Sequence, residues 1–455
     1  MNYTRRTWLT AAGAVGFGAA LTRCGGGDPL SPATTDATSA PLADAARSTR
    51  TTTPKVVNGT TGRVVVIGGG MAGLAAAKYL KVWGGSGVQV TLIERNPSYT
   101  SNILSNLVLT GQRTLSSLVY SYATVKQNYG VDIRQGTVVG IDPVAKRVTL
   151  ADNSTLAYDR LIVAPGVVFD VLPGLESDAA RSRVVHAWQA GPETTTLRNQ
   201  LLAMPAGGTF VMTIPASPYR CPPGPYERAC VVADWLKRNN PGSKVIVLDA
   251  NPWVQAERHT FETAFGGLFK DVVEYVPSAA VNSIDTSQTL IKVRTAKGDF
   301  DGDVVNAIPP QSAGKIVLDT GLANSGGRWA GVNAATFEST AAAGVHVIGD
   351  SCSAGIPKAG HIGNQQGKTA ADAILRAFGG LAPDTDLVVN SACYSPITAS
   401  TASWLTALYQ HDASMGPAGG YRMVGGATSE ATSPTSDNYS DMNKWFSTLM
   451  TETFA

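Results

Sequence analysis

Four cysteines, Cys221, Cys230, Cys352 and Cys393, follow the N-terminal Cys24 in this 455-residue chain. None stands in a CxxC or CxxCH pattern, and the five histidines show no metal spacing. A zinc site or a haem attached to this chain is therefore not expected. Thiols without metal spacing can exchange with disulfides and carry electrons. A second chemical element is Gly68-Gly69-Gly70-Met71-Ala72-Gly73. Its G-x-G-x-x-G spacing can cradle a pyrophosphate. The two together point to redox chemistry beside a bound dinucleotide.

These residues need elements to hold them. Residues 63–67 read as a buried strand, β-branched and bounded by glycine. Residues 74–82 read as an alanine-rich helix, and 88–93 as a second strand ending at Glu94. Strand, glycine turn, helix, strand and terminal acid fit within about thirty residues, as a dinucleotide fingerprint requires. Gly68 permits the tight turn, Gly70 lets the backbone approach a pyrophosphate, and Gly73 lets helix and strand pack. The helix N-terminus offers N–H groups to the phosphates. Glu94 can accept hydrogen bonds from a ribose.

A second strand–helix–strand unit follows, with strands at 209–214 and 244–249 and a helix at 231–236. Its turn is Pro215-Ala216-Ser217-Pro218-Tyr219-Arg220-Cys221-Pro222-Pro223-Gly224. The prolines remove N–H donors and the required glycines are missing, so a nicotinamide pyrophosphate has no cradle there. The fold class expected is α/β, with two Rossmann-like dinucleotide-binding domains arranged as in glutathione reductase and a small C-terminal domain.

Two further segments resemble two-dinucleotide flavoproteins. Tyr158-Asp159-Arg160-Leu161-Ile162-Val163-Ala164-Pro165-Gly166 is similar to the chain crossing that closes the first domain. The run 344–350 ends in Gly349-Asp350, where the resemblance puts an aspartate on the ribityl chain of FAD. A helix over 364–378 follows, with Asn364 and the helix N-terminus facing the flavin. Cys352 lies two residues after Asp350, and Cys221 lies in the turn that replaces the second nucleotide loop. Both are expected near the flavin, and a redox-active Cys221–Cys352 disulfide is the sharpest hypothesis. Two separate buried thiols are the alternative. Cys230 and Cys393 read as structural, though either could belong to the pair.

The run Arg220-Cys221-Pro222-Pro223-Gly224-Pro225-Tyr226-Glu227-Arg228-Ala229 resembles the cysteine loop of the flavoprotein subunit of flavocytochrome c sulfide dehydrogenase. Similar blocks are His186-Ala187-Trp188, Asn306-Ala307-Ile308-Pro309-Pro310-Gln311, Thr336-Phe337-Glu338-Ser339 and Cys393-Tyr394-Ser395. The resemblance runs from residue 62 to the end, and it implies oxidation of sulfide with electrons passing through FAD to a separate c-type cytochrome subunit. It further implies that hydrosulfide attacks the disulfide to form a persulfide and that Cys352, assigned from its position, donates to the flavin. Glu227 matches the family's acid/base carboxylate. Arg95, Asn102, Val139, Ala164, Pro165 and Gly166 join Gly68, Gly70, Met71, Ala72, Gly73, Glu94, Gly349, Asp350 and Asn364 as expected cofactor contacts. Asn102 stands where the family carries its covalent flavin cysteine, so FAD bound without a covalent link is expected. Alternatives are a sulfide:quinone oxidoreductase, an enzyme for another small sulfur compound, or an FAD electron-transfer protein with a structural disulfide.

Around this core the chain has a net charge of +2 and only 15% charged residues. It thus lacks the field that nucleic-acid binding needs. Arg5-Arg6 before an apolar run to Leu21 reads as a twin-arginine export signal over 1–24, which implies the periplasm. Cys24 is a candidate lipid anchor. The Gly/Pro/Ala/Thr/Ser-rich stretch 25–60 reads as a linker. The expected division is then 61–170 and 301–384 for the FAD domain, 171–300 for the second unit and 385–455 for a C-terminal interface domain. Short helical stretches are expected in that last segment, with Met442, Trp445, Phe446 and Leu449 at helical spacing.

Overall fold

The computed structural model describes residues 60–426 and 428–455. The expected export signal with Cys24, and the linker through residue 59, lie outside them. The first elements are β1 (Gly62–Ile67), α1 (Met71–Gly84), β2 (Val88–Glu94), α2 (Asn106–Leu109), β3 (Asp132–Gln135) and β4 (Arg160–Val163). Next come β5 (Thr209–Ile214), α3 (Gly224–Asn239), β6 (Lys244–Asp249), β7 (Val273–Val276), β8 (Val304–Ala307) and β9 (Val345–Val347). The last are α4 (Gly360–Phe378), β10 (Val388–Pro396), β11 (Ala402–Asp412), β12 (Gly420–Met423) and α5 (Ser436–Phe454).

Five strands form one parallel sheet in the order β9-β4-β1-β2-β3. Its inner strands are apolar runs because both faces are covered; Val64, Val66, Leu161 and Ile162 are all buried. A second parallel sheet has the order β7-β6-β5-β8. In both sheets the loops that carry the site leave the carboxyl ends of the strands, where ligands bind in open α/β sheets.

Small residues set how closely helices approach the first sheet. A Cβ on Gly73 would stand 2.0 Å from Gly68 O, so only glycine lets α1 lie against the turn. A Cβ on Gly367 of α4 would stand 2.4 Å from Ala72 O and 2.9 Å from Ala76 N. The two helices therefore cross almost backbone to backbone. α4 begins at Gly360, a turn earlier than the expected start at 364.

The C-terminal segment departs from the expected short helices. β10, β11 and β12 form an antiparallel sheet, with Cys393 opposite Leu405. Ser391, Ser395 and Ser403 occupy buried positions on these strands. Polar residues at buried sites break the alternation that marks a strand in sequence. One helix, α5, follows the sheet. Met442 and Phe446 are buried on it and Trp445 and Leu449 pack partly, as their helical spacing requires.

Candidate active site

A cavity of about 1280 Å³ opens between the carboxyl ends of the first sheet, the loop before α3 and the C-terminal sheet. It exceeds the roughly 300–1,000 Å³ of ordinary small-molecule sites. A dinucleotide would therefore leave room for a second molecule.

The glycine turn supplies one wall. Gly68 has φ +98°, and a Cβ there would stand 2.3 Å from Ala164 O. Gly70 differs: the only heavy atom near its would-be Cβ is Tyr99 Cε2, at 3.9 Å, so its backbone is open to a ligand. Glu94 Oε2 accepts a 2.7 Å hydrogen bond from Gly69 N, and Oε1 accepts one of 2.8 Å from Asn96 N. The carboxylate thus braces the turn as well as lining the cavity. This open backbone, helix start and acid fit the pyrophosphate and ribose of a dinucleotide such as FAD.

Gly68, Gly70, Met71, Ala72, Glu94, Arg95, Asn102, Val139, Ala164, Pro165, Gly166, Gly349 and Asp350 all line this cavity. Gly73 does not, and serves packing instead. Asn364 is not among the cavity-lining residues. It lies in the second turn of α4, because the helix starts at Gly360, and it donates to Glu452 Oε2 at 2.6 Å and Thr453 Oγ1 at 2.9 Å. Asn102 Oδ1 accepts a 2.7 Å bond from Ala190 N.

The cysteines of the expected pair are placed differently with respect to the cavity. Cys221, Cys230, Cys352 and Cys393 are all free thiols. Cys352 is absent from the cavity lining; it borders a recess with no room for a water molecule. Its sulfur lies 3.3 Å from Gly349 O and 3.7 Å from Gln366 Oε1. A residue two positions beyond a cavity-lining aspartate is turned away because the chain forms a 3₁₀ turn at Gly349–Ser351 before Cys352. Cys393, expected to be structural, faces the cavity together with Cys221. Burial raises the Cys393 thiol, and charge on Cys221 raises it further.

Cys221 precedes α3 with φ 59°, a left-handed conformation that costs a non-glycine residue about 1 kcal/mol. Its N–H donates to Lys358 O at 2.7 Å and its carbonyl accepts from Gly224 N at 2.9 Å. Gly224 is required beside it, since a Cβ there would stand 2.8 Å from Cys221 Sγ. Burial, helped by Glu227, pushes the Cys221 thiol up to about 12. Burial likewise pushes Cys352 up to about 11.

Glu227 lies in the first turn of α3, 7% exposed, and lines the cavity. Its Oε1 accepts a 2.8 Å bond from Asn106 Nδ2. Burial pushes its carboxyl up to about 8, against the lowering effect of Asn106. It is therefore protonated at neutral pH. Beside it, Arg228 is 1% exposed and spends its guanidinium on Asn106 Oδ1, Asn306 Oδ1, His186 O and Ala187 O, all at 2.7–2.9 Å. Its plane lies 4.7 Å from the Trp188 ring. Neither Asn106 nor Arg228 was expected in the site. One signal existed: Arg228 interrupts the buried stripe that includes Val231 and Val232 on α3. Charges on such a stripe are rare unless they are held by partners.

Residues 62–199 match the pyridine nucleotide-disulphide oxidoreductase family. Residues 194–309 match the central region of the flavocytochrome c sulfide dehydrogenase flavoprotein chain. Ferroptosis suppressor protein 1 of Taeniopygia guttata is 36% identical over 104 residues, which cover 23% of this chain and 26% of that protein. Rhodocoxin reductase of Rhodococcus erythropolis is 35% identical over 113 residues, 24% of this chain and 26% of the relative. The matches thus span about a quarter of these curated relatives. Among solved structures, the sulfide:quinone oxidoreductase of Aquifex aeolicus superposes with a TM-score of 0.68 at 18% identity, covering 86% of this chain and 91% of that one. An NAD-dependent persulfide reductase of A. fulgidus gives 0.60 at 18% identity, covering 85% and 77%. At such identities the superpositions speak for the fold alone. Each family model matches less than a third of the chain, and the superpositions add a shared fold to those two regional matches.

Proposed function

We propose that this chain oxidises sulfide, or a closely related small sulfur compound, through a Cys221–Cys393 thiol pair and delivers the electrons through non-covalent FAD to a separate c-type cytochrome. The observation that carries this reading is that Cys221 and Cys393 line the same cavity as the glycine cradle. Bound FAD would supply a two-electron acceptor able to pass electrons on singly. Gly68, Gly70 and the start of α1 would hold its pyrophosphate, with Glu94 and Asp350 beside its sugar portions.

The chain's own residues would do the sulfur chemistry. In the oxidised form the two cysteines share a disulfide. Hydrosulfide attacks it, one S–S bond forms and one breaks, leaving a persulfide on one cysteine and a thiol on the other. Glu227, protonated and buried, can supply a proton near Cys221. Export to the periplasm and anchoring through Cys24 belong to the same proposal and would place the enzyme beside a soluble cytochrome.

Anaerobic stopped-flow absorbance of the flavoprotein mixed with sulfide tests the reading. Bleaching in wild type that disappears in Cys221→Ser supports it, and absence of bleaching in wild type removes sulfide as substrate. One observation favours a quinone as acceptor: Leu405, Ala407, Tyr409 and Met423 give the cavity an apolar edge on the C-terminal sheet. Sulfide-dependent reduction of a soluble quinone, without reduction of cytochrome c, would select that variant.

A further inference from the structure

His361 stands in the first turn of α4 and lines the cavity although only 7% exposed. Its Nε2 lies 3.9 Å from Cys393 Sγ and 3.3 Å from Ser391 Oγ. Cys393 and Ser391 are alternate residues of β10, so both side chains leave the same face of the strand. The imidazole edge is therefore held against that face, and the Trp445 ring meets it edge-on at 5.9 Å.

We infer that His361 is the proton acceptor for the Cys393 thiol, a catalytic base distinct from Glu227. The inference rests on the proposed thiol-pair reading for its place in a reaction. A second hydrosulfide takes the outer persulfide sulfur away as hydrodisulfide and leaves two thiols; joining these breaks two S–H bonds, forms one S–S bond and releases two protons and two electrons. The electrons go to the flavin required by the proposed reaction. The Cys393 proton passes to His361 Nε2, and the Cys221 proton would be taken up by the flavin, whose two-electron reduction consumes one.

A dry cavity explains why the base must be in contact. Burial holds His361 neutral, down to about 4, and raises the Cys393 thiol well above its ordinary value. A lone thiolate and a lone imidazolium are both disfavoured there. Transfer along a direct S–H···N contact, as the sulfur forms its new bond, avoids each isolated charge. The ionisable groups that act on Cys393 are Cys221 and Glu227 from the α3 region and Glu257 from the loop after β6; Tyr409 on β11 feels it in turn. The three that act on it all oppose a thiolate, and none offers a positive charge in place of His361.

Iodoacetamide labelling of the reduced, full-length holoprotein tests this without turnover. The rate is read separately on the Cys393 and Cys221 peptides by mass spectrometry, across a pH series. His361→Phe should slow Cys393 labelling near neutral pH by about tenfold, the effect of raising a thiol by one pH unit. Its pH profile should move to higher pH, with Cys221 labelling unchanged. His361→Gln keeps the polarity but is no base; it should behave alike and stands in if the phenylalanine variant does not fold. Unchanged Cys393 rates and profile in either folded variant would overturn the assignment. Sulfide bleaching of wild-type flavin is measured alongside. Its absence would remove the proposed reaction while leaving the labelling result to decide the His361–Cys393 contact.

Discussion

Glu227 and Asn106 are joined by a 2.8 Å hydrogen bond across 121 residues of chain, between the first turns of α3 and α2. The same Asn106 accepts from Arg228 at 2.8 Å. One amide therefore orients both a protonated carboxyl and a buried guanidinium beside the Cys221 loop. Asn106→Leu should cost roughly 2–3 kcal/mol of stability, since it strands both partners. Chemical denaturation measures it.

Glu227 has a folded value near 8 against 4.5 for the ordinary side chain. Between these values the folded protein binds the proton and the unfolded chain does not. Stability therefore falls as pH rises from about 4.5 to about 8 and levels off above. Glu227→Gln should flatten part of that slope and raise the melting temperature most at the alkaline end. Glu257, which burial pushes up to about 7, keeps its own share. Wild-type and Glu227→Gln melting curves that stay parallel from pH 5 to about 9 would contradict the buried-acid assignment.

Arg228→Met should be among the most damaging single changes. It removes hydrogen bonds to Asn106, Asn306, His186 and Ala187 and leaves those acceptors buried. A loss of about 3–5 kcal/mol is expected from thermal or urea unfolding. Arg228→Lys should recover little, because an ammonium cannot span the four acceptors as a planar fork does.

The cradle predicts a split between two glycines. At Gly70 a methyl group meets nothing nearer than 3.9 Å, so Gly70→Ala should fold normally yet bind FAD more weakly. At Gly73 the methyl would stand 2.0 Å from Gly68 O, so Gly73→Ala should fail to fold stably. Flavin content and circular dichroism separate the two outcomes. Denatured holoprotein should release its flavin on reverse-phase separation, since Asn102 provides no thiol for attachment.

The thiols predict a further contrast. Cys393→Ala and Cys221→Ser should each abolish sulfide-driven flavin bleaching. Cys352→Ala should lose no more than about threefold in rate and about 1–2 kcal/mol in stability, as for a small buried side chain. Equal loss in all three would return Cys352 to the chemistry.

The local plan of the first parallel sheet was legible because it is written in neighbouring residues. Strand, glycine turn, helix and Glu94 follow one another, and φ and packing demands at Gly68 and Gly73 exclude other side chains. Cys221 and Glu227 were legible for the same reason: they share one turn and the helix after it. Cys393 was not, because its approach depends on an antiparallel sheet whose buried serines hide its alternation. Cys352 stands close to Asp350 in sequence, yet a single 3₁₀ turn directs its sulfur to Gln366. Asn364 is likewise directed by packing, as the helix starts one turn earlier and its side chain bonds α5. Residue types and local spacing determined the glycine turn, its open backbone and the presence of the thiols. That Cys393 faces the cavity with Cys221, and that His361 stands against Cys393, was decided only when the sheet and α4 packed. Those contacts join distant segments, and their geometry is set by burial rather than by neighbouring sequence.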